Sequence, residues 1–248
     1  MLKGVILAGG TGTRLYPLTH LVNKHLLPVG RKPMLEHAIE KCREAGILDL
    51  IVVIGKQSAQ LYAEYFGNGA KWGVRLAFLI QERPGGIAEA LSLAEPLIPR
   101  HEKFVVLLGD NLFEDSLRDE AARFLEQPEG ARVLLKRVPD PRRYGVPVIE
   151  GGRILDIEEK PSHPKSDYCV TGIYFYDTGV FDKIRAITPS ARGELEISDV
   201  NALYAREGTL TYGILRGWWT DAGTFASLAE AAKRLEEHTD GREGKTPQ

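Results

Sequence analysis

Three glycines set close together after an apolar run, in Leu7-Ala8-Gly9-Gly10-Thr11-Gly12-Thr13-Arg14, are the first residues whose types and spacing could do chemistry. A strand end without Cβ atoms lets backbone N–H groups approach a phosphate chain. Arg14 follows at once and Lys24 stands ten residues later. In a chain of net charge −2 these cations must act locally, and a polyphosphate is the ligand they suit; a tight turn with surface cations is the bland alternative. Two familiar phosphate loops are excluded. The dinucleotide fingerprint needs a glycine three residues after Gly12, where Leu15 stands. The Walker lysine loop fails at Gly55-Lys56, which continues with Gln57, and at Gly244-Lys245-Thr246, because position 239 is Thr.

Asp110 is the next candidate. It follows the apolar run Phe104 to Leu108, and in open α/β sheets ligands collect beyond the carboxyl ends of strands. Mg²⁺ favours one or two carboxylates together with phosphate oxygens and water, so Asp110 suits such an ion; a turn or cap residue is the alternative. The six histidines do not cluster, which fits chemistry that needs no general base. Glu158-Glu159-Lys160 reads, on its own, as a solvated strand end. Cys42 and Cys169 lack metal or redox spacing and read as buried free thiols in a reducing compartment.

The elements that must position these residues alternate. Strand patterns at Gly4 to Ala8, Leu50 to Ile54, Val74 to Ile80 and Phe104 to Leu108 are separated by helical spacing over Pro33 to Ala45, Ser58 to Phe66 and Gly86 to Leu97. This predicts an α/β fold: a Rossmann-like, mostly parallel sheet with helices on both faces. From Ala131 the rhythm changes. Val133 to Val138, Gly145 to Glu150, Arg153 to Ile157 and Val170 to Tyr176 read as an antiparallel addition, followed by helices at Val180 to Ile187, Ile197 to Glu207 and Phe225 to Glu237. Residues 239–248 read as a disordered tail. With 43% hydrophobic residues, 248 residues suffice to bury a full core in one large domain or two small ones. Nearly balanced charge recommends neither nucleic acid nor a membrane as partner, and no apolar run approaches the ~20 residues of a span, so the expectation is a cytoplasmic, soluble protein.

At Gly9 to Thr19, followed by Asn23-Lys24-His25-Leu26-Leu27-Pro28-Val29, the chain resembles the sugar-1-phosphate nucleotidylyltransferases. The resemblance continues in order through Gln81 to Ala90, Leu108-Gly109-Asp110-Asn111, Glu158 to Pro161, Val170 to Tyr174, Arg192 to Asp199 and Trp219 to Thr224. It implies the fold of the nucleotide-diphospho-sugar transferases as one domain over 1–238, with a nucleotide-binding half at about 1–130 and a sugar-phosphate half at 131–238. The runs Lys24 to Val29, Arg192 to Asp199 and Trp219 to Thr224 most resemble members that transfer a thymidylyl group. Implied substrates are dTTP and glucose 1-phosphate, with Mg²⁺ as cofactor. A uridylyl or cytidylyl transferase, or a non-catalytic nucleotide-sugar sensor, is the alternative. Many members carry further C-terminal helices that help form an allosteric site. The chain ends soon after 225–237, so the expectation is competitive or absent inhibition by a downstream dTDP-sugar. A homo-oligomer is left open.

Carried over by motif position, Arg14 would stabilise the leaving pyrophosphate and Lys24 would neutralise the α-phosphate. Asp110 and Asp221 would hold the metal. Leu7, Ala8, Gly9, Gly10, Thr11, Gly12 and Thr13 would line the nucleotide, with Gln81 and Gly86 against the base. Gln81 offers an amide to the N3–H and O4 edge of thymine, which uracil shares. Lys160 and Arg192 would hold the sugar phosphate, and Asn111, Gly145, Glu159 and Val170 would line the sugar. Trp218 and Trp219 could stack on a sugar or fill a core. His25 is expected at the surface.

Overall fold

Val5, Ile6, Leu7 and Ala8 are each at most 5% exposed, as a strand covered on both faces requires. They form β1 (Lys3–Ala8), an interior strand of the central sheet in a computed structural model that describes residues 2–243. A short hairpin, β2 (Pro28–Val29) and β3 (Lys32–Pro33), leads into α1 (Met34–Glu44), β4 (Asp49–Gly55), α2 (Ala59–Phe66), β5 (Arg75–Gln81) and α3 (Ile87–Ser92). β6 (Lys103–Leu108), β7 (Asn111–Phe113), α4 (Arg118–Glu126) and β8 (Ala131–Arg137) follow. The remainder is β9 (Gly145–Glu150), β10 (Arg153–Glu159), β11 (Tyr168–Asp177), α5 (Val180–Ala186), α6 (Ile197–Arg206), β12 (Leu210–Ile214), β13 (Trp219–Asp221) and α7 (Phe225–Glu243).

The seven-stranded sheet runs β12-β8-β11-β6-β1-β4-β5. Its pairs are parallel except where β11 lies antiparallel between β6 and β8. Alternation at period two sends Val5, Leu7, Val53 and Val106 to one face and Ile6, Ala8, Val52 and Leu107 to the other, giving two apolar cores. The first core takes in Leu91 of α3, Phe181 of α5 and Val200 of α6. The second takes in Ile39 of α1, Tyr62 of α2 and Phe124 of α4. The mostly parallel α/β sheet expected from the alternation is thus present.

The four strands expected as an antiparallel addition all pair antiparallel, but not in one separate sheet. β9 and β10 form their own hairpin, whereas β8 and β11 pair antiparallel within the main sheet, where β12 then lies parallel to β8. Val133, Leu134 and Leu135 are all buried, so β8 carries no polar face and belongs to a sheet interior. Helix α4 was not anticipated, because its apolar stripe of Leu117, Ala121 and Phe124 is set among charged residues. Residues 239–243, expected to be disordered, extend α7; a helix already docked through Ala231 propagates one bond per added residue. The rest of that tail, 244–248, lies outside the described residues. No helix among the described residues is long and apolar enough to cross a membrane.

Two short strands matter more than their length suggests. β7 leaves the end of β6 and pairs antiparallel with β13, matching Asn111 with Asp221 and Phe113 with Trp219. The Ala222 N–H donates to the Asp110 carbonyl at 2.9 Å, which closes the pairing one step further.

The turn into β8 depends on Gly130, whose φ is +98° and whose N–H donates to Asp177 at 2.5 Å. A Cβ there would collide with the Thr209 carbonyl oxygen, to which the Ala131 N–H donates at 3.1 Å. Gly130→Ala is expected to lower stability by about 2 kcal/mol or more, read from the urea midpoint. A loss below about 0.5 kcal/mol would show that the turn relaxes freely.

Candidate active site

Asn23 organises the glycine loop. Its side-chain NH₂ donates to the Gly10 carbonyl at 3.1 Å, and its own N–H donates to Ser58 Oγ at 2.9 Å. Its Oδ1 accepts from the Tyr62 hydroxyl (2.9 Å), the His25 N–H (3.0 Å) and the His25 ring (2.7 Å). Thr19 adds a hydrogen bond from its hydroxyl to the Gly12 carbonyl at 2.7 Å. Since Oδ1 can only accept, His25 carries its proton on Nδ1. The loop after β1 is therefore tied to α2 and to the turn that precedes it through one buried residue.

His25 is 2% exposed, against the expectation of a surface residue. Its ring lies where a Cβ on Gly109 would come within 2.8 Å of Cδ2, beneath the loop that carries Asp110. Burial, followed by the charge of Lys24, lowers its pKa to about 3, so it is neutral at pH 7.

Lys24, in the same turn, places Nζ 2.5 Å from Asp110 Oδ2. Burial alone would raise the Asp110 carboxyl, but the Lys24 charge and hydrogen bonds from Lys24 and Asn111 outweigh it and hold the carboxyl well below the usual range. Asp221 moves the other way. Burial and then the charge of Asp110 raise it, and the Tyr144 hydroxyl (3.0 Å), Arg143 (3.7 Å) and Arg14 (3.9 Å) offset this in part.

A cavity of about 520 Å³ opens on this pair. Its lining joins Arg14, Asp110 and Asp221 to Asn111, Gly145, Glu159, Lys160, Val170 and Arg192, so the residues expected at the metal and at the sugar phosphate share one space. Trp219, weighed as a sugar-stacking residue, lines it too, and Arg143, Tyr144 and Ser198 also line it and were missed. For Arg143 and Tyr144 the signal was present: an Arg-Tyr pair directly before Gly145, at a strand start. Lys24, Gln81 and Gly86 stand outside this lining.

Two sugar-lining candidates are already engaged. Glu159 Oε2 accepts from Ser198 at 2.6 Å, while Oε1 faces Lys160 Nζ at 3.1 Å and Arg192 at 3.5 Å. Asn111 donates to Asp110 at 3.0 Å and accepts from the Gly172 N–H and the Trp219 indole, both at 2.8 Å. It fixes the irregular stretch of β11 between Val170 and Tyr174, where the pairing with β8 shifts register. Trp219 thus lines the cavity while partly packed in a core, and Trp218 packs against the separate apolar cluster of α7. Cys42 and Cys169 are buried free thiols, each pushed up to about 12, first by burial.

The donor set fits a hard cation. Asp110 and Asp221 bring two partly repelling carboxylates into the cavity, and all-oxygen ligation completed by phosphate and water is what Mg²⁺ takes. No cluster of three or more His, Cys, Asp or Glu side chains that could form an all-protein cage occurs among the described residues.

Residues 3–238 match the family model described as Nucleotidyl transferase. The chain belongs to the nucleotidyl transferase family. Among curated relatives, this nucleotidyl transferase is 42% identical to a glucose-1-phosphate thymidylyltransferase of Neisseria meningitidis, over 93% of its own length and 81% of that protein's. It is 39% identical to one from Mycolicibacterium smegmatis, over 93% and 81%. Among solved structures, a Bacillus anthracis chain assigned as a glucose-1-phosphate thymidylyltransferase and crystallised with sucrose superposes with a TM-score of 0.90 at 50% identity, covering 94% of this chain and 95% of that one. A UDP-glucose pyrophosphorylase bound to UDP-glucose shares the fold, with a TM-score of 0.85 at 24% identity over 96% of this chain and all of that one.

The buried neutral His25 makes stability depend on pH. Its folded pKa lies below the unfolded 6.5, so the unfolded chain binds more protons between about pH 3 and 6.5 and stability falls as pH falls through that window. Between pH 7 and pH 5 this group alone costs about 2 kcal/mol. His25→Gln is expected to flatten the dependence of the urea midpoint by roughly that amount. An unchanged slope would show that His25 is not held neutral.

Proposed function

We propose that this nucleotidyl transferase moves a thymidylyl group from dTTP to glucose 1-phosphate, giving dTDP-glucose and pyrophosphate. One observation carries the reading: Lys160 and Arg192 face Asp110, Asp221 and Arg14 across a single cavity. Two polyanions must meet there, and one pair of unit charges at 4 Å costs about 4 kcal/mol at an effective dielectric of 20. The names of the curated relatives select the nucleotide and the sugar.

In this reading an oxygen of the sugar phosphate attacks the α-phosphorus, and the bond from that phosphorus to the bridging oxygen of pyrophosphate breaks. The attacking phosphate is ionised at pH 7, so no general base is needed, in keeping with a histidine that is buried and neutral. Lys160 and Arg192 hold the sugar phosphate. Residues 1–130 form the nucleotide half and 131–238 the sugar half, with Leu7 to Thr13 cradling the triphosphate, Gln81 and Gly86 at the base, and Gly145 and Val170 offering backbone groups to the sugar. Lys24, anchored by the Asn23 turn, neutralises charge growing on the α-phosphate, and Arg14 meets the departing pyrophosphate. Asp110 and Asp221 would hold Mg²⁺, which when bound supplies positive charge shared among the phosphate oxygens. Arg143 and Tyr144 position Asp221 from the sugar side.

The test crosses four nucleoside triphosphates with glucose, galactose, mannose and N-acetylglucosamine 1-phosphates in a pyrophosphate-release assay. dTTP with glucose 1-phosphate should be the best pair and UTP the second nucleotide. A higher kcat/KM with CTP or GTP would refute the assignment. Asp110→Asn and Asp221→Asn should each remove most of kcat, and the double variant should be little worse than either, because both carboxylates serve one ion. Strictly additive losses, or full activity in excess chelator, would separate the two carboxylates or remove the metal.

A further inference from the structure

Gln81 ends β5 and is 6% exposed. Its amide nitrogen donates to the Glu89 carboxylate and, at 3.4 Å, to the Gly86 carbonyl. Both partners can only accept, so the amide has one tolerable orientation: flipping it would set its oxygen against a carboxylate and a carbonyl. The Gln81 oxygen is thereby directed to the other side, against Gly9, where a Cβ would collide with it. Among the described residues this oxygen accepts no hydrogen bond, and it is not among the buried polar atoms left without a partner, so it retains access for a ligand. Gly85 makes the lock feasible: a Cβ there would come within 2.9 Å of the Glu89 carboxyl carbon, and its absence lets Glu89 fold back across the turn before α3.

We propose that Glu89 is a specificity-determining positioning residue that presents the oxygen of Gln81, and not its NH₂, to the nucleobase, so that pyrimidines bearing N3–H are admitted and cytosine is rejected. The inference rests on the reading above that Gln81 lies against the base. Thymine and uracil donate N3–H to the fixed oxygen. Cytosine brings a bare N3 lone pair to the same point, where the NH₂ that could serve it is held away by Glu89.

Isothermal titration of dTDP and dCDP, with kcat/KM for dTTP and dCTP, tests this on the unsubstituted protein, Glu89→Gln and Glu89→Ala. Thermal melts establish that each variant is folded. The unsubstituted protein should favour dTDP over dCDP by roughly 10- to 100-fold. In Glu89→Gln either amide can donate to the other, so only the 3.4 Å contact with the Gly86 carbonyl still favours one orientation of Gln81. The preference should then shrink at least tenfold, mainly through tighter dCDP binding. Glu89→Ala, which frees Gln81 to rotate, should shift the preference the same way if Glu89→Gln does not fold. An unchanged preference in a folded variant, with both nucleotides weakened alike, would assign Glu89 a structural role and overturn the proposal. Equal affinity for dTDP and dCDP in the unsubstituted protein would overturn it while leaving nucleotide binding intact. Failure to bind dTDP at all would sink the nucleotide reading, and this inference with it.

Discussion

Holding Asp110 and Asp221 in one cavity sets two like charges together with little water to separate them, and much of the surrounding structure answers that constraint. The β7–β13 pairing fixes the two by backbone, so their separation does not depend on side-chain choice. Repulsion then appears as chemistry: Asp221 is raised by burial and by Asp110, while Asp110 stays ionised because Lys24 sits on it. Lys24 can do this because its own turn is capped by Asn23, which needs Ser58 and Tyr62. A carboxylate at the end of β6 thus draws on side chains from α2 and the turn before it.

The Lys160 side of the cavity shows the same arrangement with signs exchanged. Lys160 and Arg192 are two cations lining one space; Glu159 Oε1 faces both while its second oxygen accepts from Ser198, and Arg192 lies closer still to Glu196, at 2.8 Å. Like charges brought close cost energy in the free protein, and a counterion held in place lowers that cost. Lys24 on Asp110, and Glu159 and Glu196 beside Lys160 and Arg192, therefore offset like charge on each side of the cavity. The contact at Lys160 is half-exposed and weak, whereas Lys24 is largely buried and fixed.

The parallel sheet and its covering helices were legible because β1, β4 and β6 are continuous apolar runs and α1 carries its own apolar period. The candidate site was legible wherever a residue stands at a strand end, as Asp110 does. Three kinds of feature were not. β7 and β13 are three residues each, too short to show a period, and their pairing spans the distance from Asn111 to Asp221. The burial of His25 follows from contacts with Gly109 and Asn23 that no local pattern encodes. Glu159 and Asn111 looked like free hydrogen-bonding side chains because their partners, Ser198, Arg192, Gly172 and Trp219, lie far along the chain.

The glycines near the site serve two different ends. Gly12 and Gly86 adopt positive φ, as turn glycines do. Gly109, Gly145 and Gly172 do not; each instead yields its Cβ space to a side chain of the site or its support. A Cβ would lie 2.8 Å from the His25 ring at Gly109, 2.8 Å from Ser198 Oγ at Gly145, and 2.5 Å from the Asn111 amide nitrogen at Gly172. These positions record where polar side chains approach the backbone more closely than any Cβ permits. The cavity is thus shaped as much by missing carbons on β9, β11 and the end of β6 as by the charged residues that line it, and substituting such a glycine would displace the ring, hydroxyl or amide it accommodates.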